Sequence, residues 1–158
     1  MTDREIAAAL KEKARLLYEG KVTRHRSCGI AIAETFDRDP RAYQALRKGG
    51  ITGEGTCGAI LGGLLVLGEL LGDPDPTGPA TEALQAAVAA YRAEVARRIR
   101  AGRAGTQVCN DLTSQFPIFQ SEERHGFCAD LVSTVAGLVA EIALARGAAL
   151  TPTPIRGV

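Results

Sequence analysis

The sequence predicts an all-α protein: a single-domain bundle of about six to seven helices around a buried, glycine-rich central helix. Apolar residues recur at three- and four-residue steps through most of the chain, and glycines and prolines separate these periodic segments. No series of alternating polar and apolar residues indicates strands. The chain of 158 residues suits one domain, predicted over residues 1–147, followed by a mobile tail at residues 148–158.

The first part of the chain is predicted to hold three helices. The first covers about residues 3–19 and ends before Gly20. Its apolar residues share one face: Ile6, Leu10, Ala14 and Leu17. The second covers about residues 27–36 and begins at a serine that can cap it. Pro40 then suits the first turn of a short helix that ends at Gly49.

A glycine-rich segment leads into the predicted central helix. Residues 49–58 include five glycines, which allow tight turns and close approach of another group. The helix at residues 58–71 is almost entirely apolar, but it is shorter than the roughly 20 residues that a membrane span needs. Each glycine inside it costs about 1 kcal/mol relative to alanine. Close packing against other helices would offset that cost.

The second part of the chain is predicted to contain a loop and three further helices. The loop at residues 72–79 is rich in proline, aspartate and glycine. A long amphipathic helix follows over about residues 81–99, with arginines near its C-terminus, where the helix dipole favours cations. A short helical stretch is expected at residues 106–114, and the final helix at about residues 127–146.

The charge balance argues against several function classes. Lysine and arginine total 19 against 18 aspartate and glutamate, so a net charge of +1 offers no attraction for nucleic acid or an anionic membrane. Residues 1–17 mix charged and apolar side chains, unlike a secretory signal, so we expect a cytoplasmic protein without membrane insertion. Without a serine-nucleophile motif, a carboxylate pair or a P-loop, hydrolase and kinase chemistry are not expected.

Four cysteines are the main functional signal, because a reducing cytoplasm favours redox-active or metal-binding cysteines over structural disulfides. Each is predicted at or near a helix start: Cys28, Cys57, Cys109 and Cys128. Unpaired N–H groups and the helix dipole there stabilise a thiolate and lower its pKa. No C-x-x-C pair occurs, which disfavours zinc ribbons and thioredoxin-type motifs. The competing interpretation is four ordinary buried small residues.

A known family shows the same arrangement. Residues 57–62 read C-G-A-I-L-G, with Cys28 upstream and Cys109 and Cys128 downstream. This pattern resembles the C_GCAxxG_C_C family of redox-active proteins over about residues 27–141. The resemblance implies an all-helical redox protein, with links in the family to iron–sulfur binding and to transporter loci. The loop at residues 48–55 departs from the longer, G-G-G-M-like form expected before the motif.

Three functions are compatible with these residues. In the first, Cys28, Cys57, Cys109 and Cys128 together hold an iron–sulfur cluster or another metal, for electron transfer to a redox partner or for redox sensing. The second is cluster-free thiol–disulfide chemistry, with Cys57 as the favoured nucleophile and another cysteine, Cys28, resolving the intermediate. The third is non-enzymatic: a metal-handling accessory of a transporter or an interaction module, in which the glycine-rich helix serves a homodimer.

The two histidines are secondary candidates for metal ligation. His25 and His125 each stand three residues before a cysteine, a spacing that allows mixed histidine and cysteine ligation. Both are predicted to lie in the loops before their helices. Arginines flank them there: Arg24, Arg26 and Arg124. These surroundings favour exposed, solvated turns over a metal site.

Overall fold

Helices make up the regular structure of the protein. The computed structural model describes residues 1–157, and within them there is no strand, only one isolated antiparallel bridge between Thr56 and Val108. The elements are α1 (Asp3–Glu19), α2 (Cys28–Thr35), a 3₁₀ helix (Ala42–Leu46), α3 (Gly58–Leu71), α4 (Glu82–Arg98), α5 (Cys109–Thr113) and α6 (Glu122–Ala145). The prediction of an all-α bundle with a glycine-rich central helix is confirmed.

Three of the longer helices begin at a side-chain cap. Thr2 and Glu5 form a capping box at α1, in which the Thr2 hydroxyl oxygen accepts from the Glu5 N–H at 3.2 Å. The Thr81 hydroxyl oxygen accepts from the Leu84 N–H at 3.1 Å and so starts α4. Ser121 caps α6 in the same way. Satisfying these free N–H groups fixes where each helix starts.

The predicted start of the last helix is wrong. α6 begins at Glu122, five residues before the expected Phe127, because the Ser121 hydroxyl oxygen accepts from the Arg124 N–H at 3.2 Å. Two glutamates in the first turn add a favourable interaction with the helix dipole. Cys128 therefore lies in the second turn of α6 and not at its start.

Close packing explains part of the glycine content of α3, which contacts α2, α4, α6 and the 3₁₀ helix. A Cβ added at Gly62 would lie 3.5 Å from the Gly29 Cα of α2. A Cβ added at Gly63 would lie 2.3 Å from the Tyr91 hydroxyl of α4, which donates to the Ile60 carbonyl oxygen at 2.6 Å. Alanine at Gly63 would therefore clash with Tyr91, whereas a Cβ at Gly62 would make an ordinary van der Waals contact with α2.

α6 forms the other side of the core and packs against α1, α2, α3 and α4. Among the described helices, it alone is long and apolar enough to cross a membrane. However, 67 % of its most apolar window is buried against the rest of the chain, as in the core helix of a globular protein. Its apolar character is therefore accounted for by the core.

The segment after residue 147 makes specific contacts along residues 148–157. Ala148, Leu150 and Ile155 pack against the core. The Thr153 hydroxyl accepts from the buried Lys13 ammonium at 2.8 Å and donates to Asp37 at 2.8 Å. The domain boundary at residue 147 stays a prediction, and Val158 lies outside the described residues.

Candidate functional site

Cys28 and Cys57 lie side by side because the first turns of α2 and α3 touch. Glycines form the contact: a Cβ added at Gly29 would lie 3.2 Å from the Gly58 carbonyl oxygen. A Cβ added at Gly58 would lie 2.8 Å from the Cys28 Sγ. Only residues without a side chain allow so close an approach. As a result, the two sulfur atoms share a hydrogen bond.

The glycine-rich segment places Cys109 beside this pair. The Cys57 N–H donates to the Gln107 carbonyl oxygen at 2.9 Å, and the Cys109 N–H donates to the Gly55 carbonyl oxygen at 2.9 Å. Gly49 adopts a left-handed conformation with φ of 59°, and a Cβ there would lie 2.6 Å from the Cys109 Cβ. The segment therefore fixes the starts of α3 and α5 next to each other.

Cys128 approaches from α6 and is held by two polar side chains. Arg124, one turn earlier, and Tyr18 of α1 both hydrogen-bond its thiol. Arg124 also donates to the Tyr18 hydroxyl at 2.8 Å and to the Phe119 carbonyl oxygen at 2.6 Å. Only 7 % of Arg124 is exposed, so the expectation of a solvated turn is wrong for this residue. Its place inside α6 turns it toward the core.

All four cysteines line one cavity of about 290 Å³. Each is a free thiol. Apolar side chains form much of the wall: Leu112, Phe119, Phe127, Leu131 and Val132. Three cationic side chains complete it: Arg47, Lys48 and Arg124. The arrangement is a small cavity in which thiols meet apolar walls and positive charge.

A family model described as "Putative redox-active protein (C_GCAxxG_C_C)" matches residues 25–142, which include all four cysteines. The chain belongs to the C_GCAxxG_C_C family. This confirms the resemblance seen at residues 57–62 and the family's general redox character for the chain. No curated protein and no solved structure matches the chain.

The C_GCAxxG_C_C cysteines share a cavity without forming a metal-binding group. An iron–sulfur cluster or a structural zinc needs three or four ligands gathered around one centre. Among the described residues, no group of three or more His, Cys, Asp or Glu side chains is placed to hold a metal ion. Instead, the Cys28 thiol interacts with the Cys57 thiol, while the Cys128 thiol interacts with Tyr18 and Arg124. The arrangement does not fit a four-thiolate cluster, which stays a prediction from the sequence.

Cys28 is the C_GCAxxG_C_C cysteine best stabilised as a thiolate. The hydrogen bond from the Cys57 thiol is the largest cause and, although burial opposes it, the pKa of Cys28 falls to about 7. The backbone N–H groups of Gly29 and Ala59 add to the effect. These amides belong to the first turns of α2 and α3, as expected for a cysteine at a helix start.

The expectation that all four cysteines have lowered pKa values is wrong for the other three. The hydrogen bond to Cys28 and burial raise the pKa of Cys57 well above its usual range. Burial, followed by the negative charges of Cys28 and Cys128, raises the pKa of Cys109 to about 11. Burial also raises the pKa of Cys128, which is not at a helix start. Loss of hydration therefore outweighs the helix effect at these sites.

The two histidines hold the end of α1 and are not placed as metal ligands. The His25 Nδ1 hydrogen-bonds the Tyr18 carbonyl oxygen, and the His125 Nε2 hydrogen-bonds the Glu19 carbonyl oxygen at 3.0 Å. Both rings also pack against the Tyr18 ring. His125 lies inside α6, not in the predicted loop. The two ring nitrogens therefore satisfy carbonyl oxygens at the C-terminal end of α1, which ends at Gly20 in the left-handed conformation.

Sequence reasoning missed several residues of the cavity. Tyr18 belongs to α1, and nothing in its local pattern distinguishes it from an ordinary core residue. Phe119 lies in the irregular stretch before α6, where no periodicity assigns it a role. Arg47 and Lys48 carried a usable signal, since two adjacent cations directly precede the glycine-rich segment.

Proposed function

We propose that the protein is a thiol–disulfide redox protein in which Cys28 is the nucleophile and Cys57 is the resolving cysteine. The observation that carries the proposal is that the partly accessible Cys28 lies beside the buried Cys57 where α2 and α3 touch, and that the pKa of Cys28 is lowered there. A thiolate is the reactive form of cysteine, and a pKa near the ambient pH gives the best compromise between thiolate population and nucleophilicity. Cys28 meets this condition.

The first step is attack by the Cys28 thiolate on one sulfur of a substrate disulfide. A bond forms between Cys28 Sγ and that sulfur while the substrate S–S bond breaks. The other substrate sulfur leaves as a thiolate and takes a proton from solvent. The product is a mixed disulfide in which Cys28 no longer carries negative charge.

The second step uses Cys57. In the mixed disulfide, the negative charge of Cys28 has disappeared, and with it the electrostatic and hydrogen-bonding causes that raise the pKa of Cys57. Cys57 then loses its proton to solvent and attacks Cys28 Sγ, so that a Cys28–Cys57 disulfide forms and the second substrate thiolate leaves. The substrate disulfide gains two electrons, and the protein dithiol is oxidised.

The cycle closes when a thiol or dithiol reductant transfers two electrons back to the Cys28–Cys57 disulfide. Thiol–disulfide exchange is reversible, so the relative potentials of the two couples set the direction. The proposal therefore includes a thiol-bearing redox partner and, as the sequence predicts, a reducing cytoplasmic location.

Burial decides the roles of the two cysteines. The sequence favours Cys57 as the nucleophile, because it follows the glycine-rich segment at a helix start. In the structure only 8 % of Cys57 is exposed, whereas Cys28 is partly accessible from the cavity. An external disulfide must reach its nucleophile, so we assign attack to Cys28 and resolution to Cys57.

Mild oxidation of the reduced protein tests this assignment. We expect peptide mass spectrometry to find one bridge, between Cys28 and Cys57. A Cys57→Ser variant should instead accumulate a mixed disulfide on Cys28 when it is treated with a small disulfide. A Cys109→Ser variant also lacks one thiol but should still form the bridge. A dominant bridge between Cys109 and Cys128, or no bridge, would contradict the proposal.

A further inference from the structure

We propose that the substrate of this site is a small disulfide with negatively charged groups close to its S–S bond. This inference rests on the proposed thiol–disulfide function and adds the class of substrate. The observation behind it is uncompensated positive charge in the cavity that contains the Cys28 nucleophile. Arg47, Lys48 and Arg124 line that cavity, and no aspartate or glutamate does.

The three cations have no acidic partner. Among the described residues, none of the ion pairs within 4.0 Å includes Arg47, Lys48 or Arg124. A cavity lined by one sign of charge concentrates ligands of the opposite sign.

Arg47 and Lys48 lie at the exposed rim near the nucleophile. The Arg47 Nε donates to the Ser27 hydroxyl oxygen at 3.2 Å, which holds the guanidinium beside the residue that precedes Cys28. The Lys48 Nζ lies 4.9 Å from the centre of the Phe119 ring. Both side chains are exposed and therefore able to meet an incoming anion. Arg124 is buried and supplies positive charge from inside the cavity wall.

The cations are not needed to activate Cys28. Its largest stabilising contacts come from the Cys57 thiol and from backbone N–H groups, with no cation among them. The three cations are therefore available to attract a negatively charged ligand to the cavity. Arg47 and Lys48 would hold a carboxylate or similar group at the rim while the S–S bond enters the cavity.

The cavity suits a small molecule more than a polypeptide. Its volume of about 290 Å³ lies at the lower end of ligand cavities, which hold roughly 300 Å³ and more. The walls near the thiols are apolar, with Leu112, Phe127 and Val132 among them. These walls would contact the alkyl carbons of a short disulfide while its charged ends face Arg47 and Lys48.

Three disulfides of similar size test the inference on the full reduced chain: dithiodipropionate (anionic), hydroxyethyl disulfide (neutral) and cystamine (cationic). Each rate is divided by the rate of the same disulfide with free mercaptoethanol, which removes differences in intrinsic reactivity. We expect the normalised rate for dithiodipropionate to be about 10-fold above that for the neutral disulfide at low salt. The ratio should fall as ionic strength rises, and cystamine should be slowest.

Two double variants with the same change in net charge locate the effect. Arg47→Gln with Lys48→Gln should lower the ratio of anionic to neutral rates toward one. Arg4→Gln with Lys21→Gln should keep it, since neither residue lines the cavity. Equal normalised rates for the three disulfides, or a ratio unchanged by the first pair, would overturn the substrate class. Absence of any Cys28-dependent exchange would instead overturn the proposed function.

Discussion

Replacement of Cys57 by alanine is expected to move the pH midpoint of Cys28 alkylation upward by about 1–2 units. In the native protein the Cys57 thiol donates to the Cys28 thiolate and is the largest cause of its pKa near 7. Hydrogen bonds to charged groups contribute about 1.5–3 kcal/mol, and ~1.4 kcal/mol corresponds to one pKa unit. Without the donor, burial raises the pKa of Cys28 again.

The measurement is the rate of iodoacetamide labelling of the Cys28 peptide as a function of pH. Because the pKa is lowered, the native rate should rise as pH increases through about 7 and then level off. In Cys57→Ala the rise should come at higher pH. Cys57→Ser is the matched control, since its hydroxyl can still donate, and its midpoint should stay nearer the native one. Identical midpoints for native protein and Cys57→Ala would assign the shift to the backbone amides instead.

The hydrogen bond between Cys28 and Cys57 is a feature of the site that the sequence did not predict. Placing cysteines at helix starts correctly identifies a position where a thiolate is stabilised, and Cys28 follows that rule. Cys57 shares the position, yet its pKa rises, because burial and the neighbouring sulfur outweigh the amides. Whether Cys28 or Cys57 keeps its proton depends on contacts between α2 and α3. These contacts cannot be predicted from a single sequence.

The sequence predicted the fold better than the site, because helix bounds depend on residues that are close together in the chain. Periodic apolar residues and capping residues indicated α1, α3 and α4 within one or two residues of their observed bounds. The start of α6 was missed although Ser121 and two glutamates signalled it, since the glycine just before Phe127 suggested a later start. That error left His125 outside its helix and placed Cys128 at the helix start instead of in the second turn, and the capping role of His125 was missed as a result.

The glycines of α3 connect fold and site, and they give the second large expected effect. Gly58→Ala should lower the free energy of unfolding by about 1–3 kcal/mol, the usual cost of overpacking. The added Cβ would lie 2.3 Å from the Leu46 carbonyl oxygen as well as 2.8 Å from the Cys28 Sγ. A backbone carbonyl cannot rotate away as a flexible side chain can, so the end of the 3₁₀ helix at Leu46 must move away from α3. Urea unfolding measures the loss.

Gly68→Ala is the control within the same helix. A Cβ there meets nothing within 4 Å, so the better helix propensity of alanine should raise the free energy of unfolding by about 0.5–1 kcal/mol. Replacement of glycine by alanine should therefore lower the free energy of unfolding at Gly58 and raise it at Gly68. Propensity alone predicts that both variants gain stability, and that outcome would contradict the close approach of the Leu46 carbonyl to Gly58. The added Cβ would also displace the Cys28 Sγ, which lies 2.8 Å from it, so Gly58→Ala should form the Cys28–Cys57 bridge more slowly than the native protein.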